Sequence, residues 1–145
     1  MLIQASTLFL EVTEEILRRG SRVRFVAEGT SMHPTLRAGD ALWVAPVDPA
    51  AVRSLDILLY RGPRGPIAHR VRRIRNAPGR LTAFLLQGDA PGAGGEWVDP
   101  SQILGRVVAV ERGDRTMALS GSWSLSRQRL GVALHRLKRW MSVCL

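Results

Sequence analysis

The stretch that decides the fold is residues 57–74, which read ILLYRGPRGPIAHRVRRI. Two short apolar runs, 57–61 and 67–74, lie on either side of a loop made of Gly, Pro and Arg. Runs of this length that are rich in Ile, Val and Leu and bounded by Gly and Pro are typical of strands. We therefore expect β-structure here, and the same pattern continues on both sides.

Further candidate strands lie at 23–27, 41–44, 81–87 and 104–111. The segments VDPAA, NAPGR and DAPGAGG contain the Pro and Gly residues that break the chain between them. Six short strands separated in this way predict a mainly β domain, with a coiled sheet that is barrel-like.

An amphipathic helix is predicted before this domain, at residues 4–19. Leu8, Val12 and Ile16 recur there at a spacing of four, and Gly20 follows as a helix stop.

A second amphipathic helix is predicted at 123–143, after a linker at 113–122. It has an apolar side and a basic side that contains no acid. The residues are Leu130, Leu134, Leu137 and Met141 on the first side, and Arg127, Arg129, Arg136, Lys138 and Arg139 on the second. The chain thus divides into an N-terminal helix (1–20), a β domain (21–112) and a linker with a basic helical tail (113–145).

The composition limits the possible partners and cofactors. The chain has 145 residues and a formal charge of +9, with 20 Arg and a single Lys, Lys138. An Arg-rich surface fits phosphate groups or acidic surfaces, and the alternative is a codon bias towards Arg without a functional role. The one cysteine, Cys144, excludes a disulfide within the chain, and the three histidines lack metal-ligand spacing. We therefore expect no cofactor and no metal.

No transmembrane segment is predicted. The longest run without charge, 116–126, has eleven residues, whereas a spanning helix needs about 20. The N-terminus also lacks the basic start of a signal peptide. We expect a cytoplasmic protein, or one that docks on the membrane from that side through the C-terminal helix.

The segment GTSMHPTLRAGD, residues 29–40, places Ser31 on a short turn between two apolar runs. A serine hydroxyl becomes a nucleophile only when a base removes its proton. His33 is too close in sequence to align well, and His135 and the single Lys belong to the basic tail. His69 lies on a candidate strand between apolar neighbours, where a neutral imidazole is a suitable base. The alternative is that both residues are structural.

These segments together resemble the signal peptidase I family. GTSMHPTLRAGD resembles its Ser-Met-x-Pro-Thr-Leu box, SLDILLYRGP its Gly-Asp-Ile-Val-Val-Phe-Arg segment, and IAHRVRRI its general-base segment. LLQGDAP resembles its Thr-Lys-Gly-Asp-Asn segment, and ILGRVVAV its closing Ile-x-Gly-Lys-Val strand. The five boxes follow the family's order and cover about residues 25–110.

The resemblance implies a serine endopeptidase that removes a leader or signal segment and prefers small residues before the cut. It implies Ser31 as nucleophile and His69 as general base, as in the archaeal and endoplasmic-reticulum type, whereas typical bacterial members use Lys. The implied partner is a polypeptide substrate. Unlike family members that process secreted proteins, this sequence shows no membrane anchor.

The carboxylate that orients the histidine stays open between two residues. Asp89 belongs to the Gly-Asp pair of the family, and Glu96 lies near the later position where the His-type family has Asp. Asp99 is a third, more distant candidate. Asp89 also reads as an ordinary turn residue.

The remaining site residues follow from the same resemblance. The Ser31 N–H is one expected donor to the oxyanion, and the Thr30 hydroxyl is the second, because Gly29 stands where bacterial members have a serine. Met32 is expected beside the substrate groove, with core filling as the alternative. Pro34 is expected to fix the chain as it leaves the serine and, with Met32, to contact the substrate.

Two other functions compete with a leader-cleaving peptidase. One is a repressor-type autopeptidase, or a degenerate protein of peptidase fold. The repressors use a Lys base and carry a DNA-binding module, and the sequence shows neither. The other is a basic β-barrel that binds nucleic acid, which the few aromatic residues of the central region make the least favoured.

Overall fold

The structure, a computed structural model, describes residues 2–119 and 142–144, with side chains described for residues 8–119. Within that part it has one α-helix, nine strands and two short 3₁₀ turns. In chain order these are α1 Leu2–Arg18, β1 Val23–Glu28, β2 Ala41–Ala45, a 3₁₀ turn Pro49–Ala51, β3 Ile57–Gly62, β4 Gly65–Ala77, β5 Arg80–Gln87, β6 Gly95–Val98, a 3₁₀ turn Pro100–Gln102, β7 Ile103–Arg112, β8 Arg115–Ala118 and β9 Ser142–Cys144.

The strands form one sheet, and its pairs are antiparallel except for those of β9. Their order is β3-β7-β2-β1-β9-β4-β5-β6, with β8 on β7 and a further pairing of β3 with β4. The mainly β prediction is confirmed. The barrel-like part is wrong, because the sheet is not closed into a barrel: among the described strands, β6 pairs only with β5 and β8 only with β7, so the sheet keeps two edges.

Two hydrophobic cores lie on opposite sides of β3, because successive side chains of a strand point in opposite directions. Ile57 and Leu59 belong to the first core, which α1 covers, and Leu58 and Tyr60 belong to the second. The first core also contains Phe25, Met32, Leu36, Leu42 and Val110. The second core also contains Val71, Phe84, Leu86 and Val98.

The predicted N-terminal helix is present, but of the predicted stripe only Ile16 packs against the first core. Leu10, Thr13 and Leu17 are buried, whereas Leu8 and Val12 from the predicted stripe are 63% and 50% exposed. Apolar residues lie on both sides of this helix, and the side that contacts the first core of the sheet is the one that is buried. Within residues 2–119 and 142–144, no helix combines the length and apolarity that crossing a membrane requires.

The six predicted strands are all present, and three further strands were not predicted. β8 lies inside the predicted linker 113–122, which is therefore wrong at Arg115–Ala118. The predicted C-terminal helix falls outside the described residues up to residue 141. It is wrong for its last two residues, because Ser142–Cys144 is a strand that pairs with β1.

Candidate active site

Ser31 and His69 come together from separate parts of the chain. Ser31 begins the turn between β1 and β2, and His69 lies on β4. The Ser31 Oγ lies 2.8 Å from the Nε2 of His69, although 38 positions separate the two residues. Both side chains are half-buried. This is the contact that a serine nucleophile and its general base require.

The turn that carries Ser31 is anchored by the residues that follow it. Gly29 precedes the serine with φ +86°, a conformation that glycine adopts readily. The Leu36 N–H donates to the Met32 carbonyl at 3.0 Å, and both side chains are fully buried in the first core. Met32 therefore does not face a groove that is open in this structure; it fills the core, which was the alternative for this residue.

Residues 88–90 lie directly behind the serine. The Ala90 N–H donates to the Ser31 carbonyl oxygen at 2.8 Å. A Cβ atom on Gly88 would lie 2.3 Å from that same oxygen, so only glycine permits this approach. The Gly-Asp pair of the sequence thus supports the backbone of the candidate nucleophile.

Asp89 ties the serine turn to the strand of the histidine. Its carboxylate accepts two hydrogen bonds from Arg70, at 2.7 and 2.6 Å, and one from the Thr35 hydroxyl at 2.7 Å. Arg72 adds a longer contact at 3.1 Å. Burial alone raises the pKa of Asp89, but the hydrogen bonds from Arg70 and Thr35 and the charges of both arginines outweigh it and lower the pKa. The carboxylate is engaged by these groups and does not bond to His69.

On the other side of the histidine, a tyrosine separates it from a carboxylate. The Tyr60 hydroxyl lies 3.1 Å from the Nδ1 of His69 and donates a short hydrogen bond to Glu96. Glu96 is therefore the candidate acid that reaches the histidine, and it does so through Tyr60. Among residues 8–119, no carboxylate bonds to His69 directly.

The register of the strands explains this meeting. Leu58 pairs with His69, so Tyr60, two residues on, lies on the same side of the sheet. Val71 pairs with Leu86, and Leu86 pairs with Glu96, which brings β6 to that side as well. Tyr60 was not singled out from the sequence, since neither register nor the existence of β6 can be read from it.

Burial lowers the pKa of His69, and the negative charges of Glu96 and Asp89 partly oppose this effect. A lowered pKa keeps the imidazole neutral near pH 7, the form that accepts a proton. The environment of His69 therefore favours action as a base.

The remaining candidates lie at the edge of the site or away from it. Thr30 and Pro34 are exposed, on either side of Ser31 along the turn. The Ser31 N–H and the Thr30 hydroxyl remain the candidate oxyanion donors. Asp99 caps the 3₁₀ turn Pro100–Gln102, where it accepts from the Ser101 N–H at 2.8 Å, so it serves that turn.

Taken as chemistry, a serine hydroxyl on a neutral, oriented imidazole is an arrangement for attack on a carbonyl carbon. It contains a candidate nucleophile, a candidate base and, in Tyr60, a hydrogen-bond partner for that base. No protein-family model matches this chain, and comparison with curated proteins found no match.

Proposed function

We propose that this protein is a serine endopeptidase in which Ser31 is the nucleophile and His69 is the general base. The observation that carries the proposal is the 2.8 Å contact between Ser31 Oγ and His69 Nε2. A serine whose only role is to form a turn does not require a hydrogen bond to a histidine on a strand 38 positions away. The half-buried setting that keeps the imidazole neutral adds a second argument.

The proposed reaction follows the logic of acyl transfer. His69 Nε2 takes the proton of Ser31 as Oγ attacks the scissile carbonyl, and the resulting imidazolium gives that proton to the leaving amine. The acyl group then remains on Ser31. A water molecule, deprotonated in turn by His69, attacks this ester and releases the acid.

Two N–H or O–H donors are needed where the carbonyl oxygen becomes negative. The Ser31 N–H is the first in this proposal, and the hydroxyl of the exposed Thr30 is the second. Asp89 acts at a distance from the chemistry, by holding the serine turn against β4 through Thr35 and Arg70.

The proposed substrate is a leader or signal segment of a polypeptide, with small residues before the cut. Support comes from the five segments that resemble signal peptidase I in the family's order, and from the mainly β fold that carries them. In this proposal the chain meets its substrate in the cytoplasm or at a membrane surface. The basic character of the chain, at +9, suits an anionic surface.

A peptide library tests the proposal directly. Peptides that carry Ala, Gly or Ser before a central bond are incubated with the wild type and with Ser31→Ala, and the products are identified by mass spectrometry. We expect cleavage by the wild type and a loss of about 10⁴-fold or more in Ser31→Ala. Ser54→Ala is the matched control, because Ser54 is an exposed serine outside the site.

His69→Gln completes the test. We expect it to lose activity to a similar degree, since a nucleophile and its base act as a unit. His33→Gln is its control, because His33 is exposed and the Ser31 hydroxyl bonds to His69 instead. Cleavage that persists equally in Ser31→Ala and His69→Gln would disprove the assignment.

A further inference from the structure

The Tyr60 hydroxyl occupies the place at which a serine hydrolase ordinarily has a carboxylate. Tyr60 is 1% exposed, and its hydroxyl lies between His69 Nδ1 and the Glu96 carboxylate. Glu96 itself is exposed and borders, with Tyr60 and Trp97, a pocket of about 330 Å³. Glu96 therefore lies next to solvent, and Tyr60, which is buried, is the residue that contacts His69.

The hydrogen bonds have one consistent direction. If His69 Nε2 accepts from the Ser31 hydroxyl, then in the neutral imidazole Nδ1 carries the proton and donates it. The Tyr60 oxygen accepts that bond, and its single proton is donated to Glu96. Each donor from Ser31 to Glu96 thus meets one acceptor, and reversing any bond leaves two donors or two acceptors facing each other.

We propose that Tyr60 is a positioning residue that couples the Glu96 carboxylate to His69. This inference rests on the proposed function and adds to it the means by which the base is oriented. The Tyr60 oxygen fixes the Nδ1–H tautomer and stabilises the imidazolium that forms when His69 takes the proton of Ser31. The tyrosine keeps its proton in the hydrogen bond to Glu96 and acts towards His69 only as an acceptor.

The other charged groups near the histidine do not replace this link. Asp89 faces His69 from the loop after β5, but Arg70, Arg72 and Thr35 take up its carboxylate oxygens. The competing explanation is that Tyr60 only fills the second core and that Glu96 only satisfies its hydroxyl. That explanation predicts an effect of Tyr60 on stability and none on the state of His69.

The first test reads His69 by imidazole ¹⁵N NMR of the full chain, with its signal assigned by its absence in His69→Gln. Above its pKa, wild-type His69 is expected in the Nδ1–H tautomer. In Tyr60→Phe we expect a mixture of tautomers and a lower His69 pKa, since the acceptor of the Nδ1–H is lost. An unchanged tautomer and pKa in Tyr60→Phe would overturn the proposal, whether or not the protein cleaves peptides.

The second test is a double-mutant cycle on cleavage. Tyr60→Phe and Glu96→Gln are each expected to lower kcat by about 10- to 100-fold with little change in KM, and the double variant should be no slower than the worse single one. Independent, multiplying effects would contradict a coupled pair. If Tyr60→Phe fails to fold, Glu96→Gln still decides through kcat above the His69 pKa and through the His69 tautomer, because an exposed Glu with no hydrogen-bond link to His69 should leave both unchanged. The His69 pKa is not used in this arm, since the charge of Glu96 raises it through space.

The two tests separate this inference from the proposed function. If the wild type cleaves no peptide but Tyr60→Phe shows the expected NMR change, the coupling of Glu96 to His69 through Tyr60 is supported and the peptidase function is refuted. If the wild type cleaves peptides but Tyr60→Phe has a normal kcat and a normal His69 signal, the peptidase function is supported and the coupling through Tyr60 is refuted.

Discussion

The backbone N–H of Ala90 donates a 2.8 Å hydrogen bond to the carbonyl oxygen of Ser31. The segment that follows β5 is therefore joined to the backbone of the candidate nucleophile. Gly88 lies so close to the same oxygen that a Cβ atom there would come within 2.3 Å of it. The position of Ser31 thus depends on a glycine 57 residues further along the chain.

Gly88→Ala should displace the serine. The obstructing atom is backbone, so it cannot move aside as a flexible side chain does, and we expect a loss of about 1–3 kcal/mol in unfolding free energy. A small shift of the nucleophile should also lower kcat/KM by about 10- to 100-fold. Urea unfolding and peptide cleavage measure the two effects.

Gly94→Ala is the control for this prediction. Gly94 lies in the same loop region, and a Cβ there meets nothing within 4 Å. It should retain wild-type stability and activity. Equal behaviour of the two variants would refute the steric role of Gly88.

Asp89→Asn should loosen the link between the serine turn and β4. The variant loses the charge that Arg70 and Thr35 hydrogen-bond, and we expect a loss of about 2 kcal/mol at pH 7. Because the folded pKa of Asp89 is lowered, its contribution is present above the ordinary value and lost as pH falls through the folded one. The difference from wild type should therefore shrink below about pH 4.

Urea unfolding at several pH values measures this effect. Asp114→Asn is the matched control, since Asp114 is an exposed acid in the turn between β7 and β8. If the difference in unfolding free energy between the wild type and Asp89→Asn stays constant from pH 7 to about pH 3, the ionised Asp89 carboxylate does not stabilise the fold as proposed.

The pH dependence of cleavage should report His69. Only the neutral imidazole accepts the serine proton, so kcat/KM should rise with pH. Because burial lowers the pKa of His69, with opposition from Glu96 and Asp89, the midpoint should lie below the ordinary value of about 6.5. Glu96→Gln removes a charge that raises this pKa, and it should move the midpoint lower still.

Peptides with and without titratable side chains serve as the control for this profile, since a shared midpoint belongs to the protein. A flat profile between about pH 5 and pH 8 would mean that histidine is not the base. A midpoint above about 6.5 would contradict the buried environment.

Thr30→Val tests the second oxyanion donor. The substitution keeps the shape of the side chain and removes its hydroxyl, so kcat should fall by about 10²-fold with KM little changed. Thr30→Ser keeps the hydroxyl and is expected to stay close to wild type. Steady-state kinetics on one library peptide measure both, and a wild-type kcat in Thr30→Val would remove Thr30 from the site.

The central strands could be predicted from the sequence because their apolar runs end at Pro and Gly. β6 could not, since GEWV at Gly95–Val98 is four residues long and follows a Gly-rich segment that reads as loop. The end of β4 was predicted too early, at Ile74, because the next residues, Arg75 and Asn76, are exposed and polar. Pairing with β5 extends the strand to Ala77.

The candidate site was predictable in part for a similar reason. Ser31 lies on a short turn between apolar runs and His69 on a strand between apolar neighbours, so the local sequence pointed to both, and the family resemblance suggested their roles. Tyr60 reads as one more strand residue until the register places it on the same side of the sheet as His69. Whether Asp89 or Glu96 is the better candidate to orient His69 likewise depends on the partners of each carboxylate in the fold. Asp89 accepts hydrogen bonds from Arg70 and Arg72, whereas Glu96 accepts one from Tyr60.

The measurement that tests the central claim most directly is the capture of an acyl-enzyme on Ser31. The protein is mixed with a p-nitrophenyl ester of a short peptide that ends in Ala, quenched in acid and examined by intact mass and peptide mapping. We predict a burst of p-nitrophenolate close to one equivalent, with the acyl group on Ser31, none in Ser31→Ala and a much slower burst in His69→Gln. Equal release by the wild type and Ser31→Ala, with no adduct at residue 31, would contradict the assignment of Ser31 as nucleophile.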